Sequence, residues 1–186
     1  MGLGLLLRDV GFQLALEDDR VEITAFRATD GEKGRIDLKG QATLGGDQPV
    51  HFELTGRLDA FKAVRQDMMT ATAAGPFAVK GSTGSIDVSG DLTLDPVEIR
   101  IPDQFPPEVV SLDVIEVHGG KSDETMKQTE EEKSPAFPVT LDLKLQMPDR
   151  LFLRGRGLDS EWGGRLRIKG PAERPAVNGI LSVVRG

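Results

Sequence analysis

Apolar and polar residues alternate one for one along most of this chain, the pattern of a β-strand with one oily and one wet face. Val10, Phe12, Leu14 and Leu16 alternate with Gly11, Gln13 and Ala15. Ile36, Leu38, Gly40, Ala42 and Leu44 alternate with Asp37, Lys39, Gln41 and Thr43. Phe52, Leu54, Gly56 and Leu58 face away from His51, Glu53, Thr55 and Arg57, as Ile86, Val88, Gly90, Leu92 and Leu94 do from Asp87, Ser89, Asp91 and Thr93. Further on, Val139, Leu141, Leu143, Leu145 and Met147 oppose Thr140, Asp142, Lys144 and Gln146. In "LFLRGRGLDSEWGGRLRIKG", residues 151–170, Leu166 and Ile168 point inward while Arg154, Arg165 and Arg167 take the wet face. Trp162 beside Gly163 and Gly164 is read as the anchor of a hairpin turn there.

Clusters such as "TDGEKG", "LGGDQP", "KGSTGS" and "DPVEIRIPDQFPP" break the runs at turns. The breaks predict about a dozen strands. Only "DAFKAVRQDMM" offers helical spacing, with Phe61, Val64 and Met68 at i, i+3 and i+7. Residues 119–135, "GGKSDETMKQTEEEKSP", hold one apolar side chain among many charges and read as a mobile loop. One β-rich domain over 1–186 is the expected organisation.

A degenerate unit recurs in these strands: apolar, any, apolar, polar, Gly. It ends at Gly40, Gly56, Gly81, Gly90, Gly155 and Gly170. In each unit the glycine shares a face with the two apolar residues, where a missing side chain lets a sheet bend or bulge. Repeated, that device predicts an all-β fold whose sheet curls along its length. The pattern alone leaves two architectures open: a closed β-sandwich or barrel filled by its own side chains, which is the plainer reading, and a single curved sheet, laid down mainly strand after strand and curled into a half-pipe. The inward residues are mostly Leu, Ile and Val with glycine among them, so a curled sheet would leave a continuous apolar trough. Withdrawing acyl chains from water is worth roughly 0.8 kcal/mol per CH₂. Exchange between a bilayer and such a trough is nearly isoenergetic, which suits movement of lipid more than its storage.

Charge and composition narrow the chemistry. The chain has 23 Lys and Arg against 30 Asp and Glu, a net charge of −7, so nucleic acid is not an expected partner. Aromatics are 5% with no Tyr, which removes both the stacking platforms of single-strand binders and the girdles of outer-membrane barrels. No cysteine is present, excluding disulfides, thiol catalysis and Cys-ligated metal. His51 and His118 have no partners at metal-ligand spacing. "GSTGS" at 81–85 lacks the Lys-Ser/Thr and helix of a phosphate loop and reads as a tight hairpin turn. Asp18 and Asp19, Glu130 to Glu132, and Asp87, Asp91 and Asp95 read as solvated carboxylates, not catalytic pairs. Met68 and Met69 read as core or turn packing, and Phe105 as the cap of a core edge. No enzymatic activity, cofactor or metal is expected.

The blocks "RGRGLDSEWGGRLRIKG" and "PAERPAVNGILSVVRG", with "IPDQFPPEVVSLDVIEV" and "LDLKLQMPDRLFL" before them, resemble the conserved C-terminal domain of the TamB family. TamB is the inner-membrane subunit of the translocation and assembly module of Gram-negative bacteria. The similarity covers 97–186 most closely, interrupted by the charged loop. It implies a periplasmic fragment of a larger protein with an N-terminal membrane anchor and a taco-shaped groove with an apolar interior. It also implies pairing with TamA, an outer-membrane barrel of the Omp85 type, and links to outer-membrane protein assembly and phospholipid movement. On that resemblance the partners are phospholipid acyl chains, a TamA-like barrel and unfolded outer-membrane proteins. The groove would be lined by Phe12, Leu14, Ile36, Leu38, Leu44, Phe52, Leu54, Ile86, Val88, Leu92, Leu141, Leu143, Leu145, Leu166 and Ile168.

Overall fold

The computed structural model describes residues 6–44, 50–102 and 137–186. They form β1 (Arg8–Glu17), β2 (Arg20–Thr29), β3 (Arg35–Thr43), β4 (His51–Gln66), β5 (Met69–Ser82), β6 (Ser85–Arg100), β7 (Val139–Gly155), β8 (Leu158–Pro171) and β9 (Ala176–Arg185). All nine lie in one sheet in chain order, and its end strands β1 and β9 do not meet. The fold is therefore the open curved sheet, not a closed sandwich or barrel. Every pairing is antiparallel except β6 with β7, which run parallel and need the long connection between them. The 119–135 segment, His118 and Phe105 lie outside the described residues.

The long strands β4 to β8 each cross a break. In β4 the pairing with β5 slips between Leu58 and Phe61 and again between Lys62 and Val64, with Ala60 at φ +47°. In β6 and β7 the slips fall at Thr93–Val97 and Met147–Leu151, around Pro96 and Pro148, which cannot donate to the ladder. Gly75 and Gly164 occupy this line in β5 and β8. Their positive φ and the carbonyl oxygens of Asp91 and Ile180, which a Cβ would overlap, leave room for no other residue. The breaks line up as a crease across the strands.

The core lies in that crease. Ala71, Val97, Met147 and Leu151 form one buried cluster, with Trp162 and Leu166 packed against it from either side of the break in β8. Leu58, Phe61 and Ala73 form the other, joined by Ile36, Phe77 and Leu92. Phe61 is the largest fully buried side chain among the described residues. Away from the crease burial falls, and every residue of β1 and β9 is exposed.

The crease explains three corrections to the sequence reading. The described residues hold nine strands, because runs such as 139–147 and 151–155 are one strand whose alternation changes phase at a bulge. The helical spacing of Phe61, Val64 and Met68 belongs to β4 and the turn after it; two bulges each add a residue between inward positions and imitate a helical period. Trp162 is no turn residue. The hairpin turns at Arg156 and Gly157, whereas Trp162 sits within β8 opposite Leu151 and donates from Nε1 to Ser160 Oγ at 2.9 Å.

Candidate functional site

Residues directly opposite in neighbouring strands share a face, so the register places each predicted lining residue. Phe12 faces Phe26, which faces Leu38, which faces Gly56. Leu14 faces Ile23, then Gly40 and Leu54 follow at the same level. From Leu54 the row continues through Val79, Val88, Leu141 and Gly170. Phe52 leads to Gly81 and Ile86, and Ile36 to Leu58. Gly90 leads to Leu143 and Ile168, and Leu92 to Leu145 and Leu166. Leu44 follows Ala42 by two residues just past β3 and is exposed. The structure thus brings the sequence-predicted residues onto one face, in rows that run across the strands. At about 4.8 Å per spacing, nine strands give rows roughly 40 Å long.

The repeat glycines divide by environment. The Phe77 ring covers Gly56 and the Phe52 ring covers Gly81. Gly40 lies tight against the Glu53 carbonyl and Leu54, and Gly90 against Leu143 and Phe77 at ordinary contact distance. Register runs unbroken through Gly56, Gly81 and Gly90, whereas Gly40 pairs with Ile23 at the edge of the β2 slip between Ile23 and Phe26. Gly155 closes β7 against the Ile101 backbone, and nothing lies within 4 Å of a Cβ on Gly170. Large side chains laid over glycines level the face, an arrangement also used to secure glycines in designed sheets.

The opposite face is charged and cross-linked. Arg27 pairs with Asp37 at 3.1 Å, Arg35 with Asp59 at 2.6 Å, Lys80 with Glu53 at 2.6 Å and Arg167 with Asp142 at 3.0 Å. The hydrogen bond from Arg167 holds the Asp142 carboxyl below its usual range. Arg150 meets Asp95 at 2.8 Å where the bulges of β6 and β7 lie side by side. A concavity of about 940 Å³ lies along β7, β8 and β9, lined by residues that alternate between the two faces, among them Lys144, Leu145, Met147, Arg165, Leu166 and Ile180.

One carboxylate is buried. Asp30, in the turn between β2 and β3, accepts the backbone N–H of Glu32 at 2.8 Å and of Gly34 at 3.0 Å on Oδ1, and that of Lys62 at 3.0 Å on Oδ2. Burial pushes this carboxyl up, but the three backbone donors and the Lys62 ammonium together outweigh it and hold its pKa low. Asp30 therefore clasps the β2–β3 turn to the crease of β4, a role that sequence reading missed. The signal was "TDGEKG", read there only as a turn.

His51 opens β4 on the exposed charged face, Met68 is exposed in the β4–β5 turn and Met69 begins β5. Asp18 and Asp19 form the β1–β2 turn, and Thr83 and Gly84 the tight β5–β6 turn. Among the described residues, no group of three or more His, Asp or Glu could hold a metal ion, and no helix is long and apolar enough to cross a membrane.

The described residues define an all-β protein: one open, creased sheet whose apolar positions fall into register on one face from strand to strand. The TamB C-terminal domain family model matches residues 24–186, and the chain belongs to that family. Membership carries a role in the bacterial envelope, alongside outer-membrane assembly partners such as TamA. No curated protein and no solved structure matches the chain.

Proposed function

We propose that this chain is a periplasmic segment of an inner-membrane-anchored TamB-like protein whose apolar groove carries phospholipid between the inner and outer membranes. In this reading it also supports outer-membrane protein assembly beside a TamA-like barrel of the Omp85 type. The observation that carries it is the unbroken apolar register from Phe12 to Ile168, packed tight only at the crease and accessible elsewhere. An ordinary core would bury the rows on β1 and β9 as well, yet Phe12 is 66% exposed and Val183 56%. Acyl chains laid along such rows leave water at roughly 0.8 kcal/mol per CH₂ and meet hydrocarbon-like surface at each step. The transfer requires no reactive group.

Photo-crosslinking with a phospholipid bearing a diazirine in one acyl chain tests the reading. Leu54→Arg and Leu143→Asp, both at half-buried positions, should abolish labelling while the variants stay folded. Native mass spectrometry of the purified chain should show a co-purifying phospholipid. Loss of folding in both variants, with a ligand-free wild type, would mean that the face is only a core.

A second reading is favoured by β9, which carries exposed large apolar residues on both faces. Val177, Leu181 and Val183 share the groove face, and Ile180 and Val184 point the other way. Strands of that composition are normally covered on both sides. A scaffold presenting this edge to unfolded outer-membrane proteins would use it by strand addition. Ile180→Pro should then block capture of an unfolded outer-membrane protein and spare lipid labelling; equal loss of both counts against a separate scaffold role.

A further inference from the structure

We infer that the ends of β6 and β7, at Arg100, Arg154 and Arg156, form a binding site for a phosphate ester, filled in a loaded chain by a lipid headgroup. The lipid source rests on the conduit reading; the phosphate chemistry does not. Arg100 and Arg154 stand directly opposite each other on the parallel strands, and the next backbone N–H, of Ile101, donates to the Arg154 carbonyl at 2.8 Å. Like charges facing each other destabilise a sheet. Lys144 and Arg167 also face each other, but Asp91 and Asp142 lie beside them.

At this rim the compensation stops at one arginine. Arg154 pairs with Asp159 at 3.2 Å and stacks on the Phe152 ring at 4.7 Å. Arg100 makes no ion pair among the described residues, and its backbone N–H donates to the Met68 carbonyl on its other side. Arg156 is exposed in the two-residue turn at φ +53°, a conformation in which Asn or Gly is the usual choice. Arg156 is strained and stands two residues beyond Arg154, which faces Arg100; a strained position held by arginine marks a place where a cation is worth its local cost.

The surroundings define the ligand. Met69, Ile99 and Leu153 lie in one row on the groove face at the same end of the strands, so apolar and cationic surfaces are one residue apart. Three carboxylates are nearby: Asp159 is taken up by Arg154, while Glu98, two residues back from Arg100, and Asp67, in the β4–β5 turn, disfavour a long polyanion; Arg100 and Arg156 remain for one compact charge. The other end of the sheet carries Glu17, Asp18 and Asp19 in its first turn. Guanidinium groups match phosphate oxygens with paired donors.

The test uses the full chain and three probes: dioctanoylphosphatidylglycerol, dioctanoylglycerol, which has the same tails without phosphate, and inorganic phosphate. The phosphatidylglycerol should bind about tenfold more tightly than the diacylglycerol. Inorganic phosphate should shift the Arg100 and Arg156 Nε–H resonances. The double variant Arg100→Gln, Arg156→Asn should lose both effects and keep diacylglycerol binding, because Asn suits the turn. Lipid binding indifferent to phosphate and to both arginines overturns the site and leaves the conduit standing. Arginine shifts with phosphate but no binding of either lipid support the site as one for free phosphate and sink the conduit.

Discussion

The ring of Phe77 on β5 lies across Gly56 on β4, so close that a Cβ on Gly56 would sit 2.5 Å from the ring's Cζ. The contact is one instance of a graded series, because the repeat glycines differ in what a methyl group would strike. At Gly40 it would overlap the Glu53 carbonyl oxygen and the Leu54 backbone, neither of which can swing away. At Gly90 the nearest atom is 3.2 Å distant. Gly40→Ala should therefore destabilise the chain by about 2–3 kcal/mol, as overpacking does, and Gly90→Ala by under about 1 kcal/mol. Urea midpoints at constant m-value check the order.

Burial follows the crease and not the hydrophobicity of the residue. Phe61, 1% exposed, should cost about 3–5 kcal/mol when cut to alanine, through lost transfer energy and the cavity left behind. Phe12, at 66% exposed, should cost under about 0.5 kcal/mol. Equal losses in thermal unfolding would show that the apolar rows on β1 are packed in solution.

Asp30 gives the crease a pH dependence. Its folded pKa is depressed, so its contribution is present above the unfolded value near 4 and fades as pH falls through the lower folded value. Asp30→Ala removes the acceptor of three backbone donors, one buried and two part-buried, and should cost about 3 kcal/mol at pH 7. The gap between wild type and variant should narrow below about pH 4. Chemical denaturation at pH 7, 4 and 3 reads this directly, and a constant gap rules out the carboxylate as the clasp.

Ala60 sits at φ +47° in the β4 bulge, where an L-residue is strained by about 1–2 kcal/mol and glycine is not. After the extra chain entropy of glycine is subtracted, Ala60→Gly should raise stability by about 0.5–1 kcal/mol. Ala60→Val should lower it, since a β-branched side chain fits that conformation worse. The comparison of denaturation midpoints tests whether the crease is held against local strain.

Much of the fold was legible because period-two alternation is local: the face carrying Leu38, Leu54, Val88 and Leu143 follows from the residues alone. The crease was not, because a bulge changes the phase of the pattern. Ala60 and Asp149, both at positive φ, look in sequence like ordinary strand residues. The clues present, Pro96 and Pro148-Asp149, read as strand ends when no partner strand is known. The same limit hid Asp30, whose third hydrogen bond goes to Lys62 across 32 positions. The Arg100–Arg154 pair was equally invisible, because a parallel register joins residues on either side of a long connection.

The uncharged run from Ala176 to Val184 gives the last prediction. It forms an edge strand with Ile180 63% exposed on the outer face, and edges of that kind recruit other strands unless a charge or bulge blocks them. The strand can also pair with a copy of itself: centred on Ile180, an antiparallel register sets Val177 against Val183 and Gly179 against Leu181 on the groove face. Leu166 already lies over Gly179 within the sheet, so Gly–Leu pairing across this face has a precedent. The isolated chain should self-associate with rising concentration. Ile180→Lys should suppress that, because it places an ammonium at the centre of the edge and beside Arg165, its neighbour on β8. Sedimentation velocity distinguishes the outcomes: a concentration-independent monomer in wild type would show that the edge is protected despite its composition.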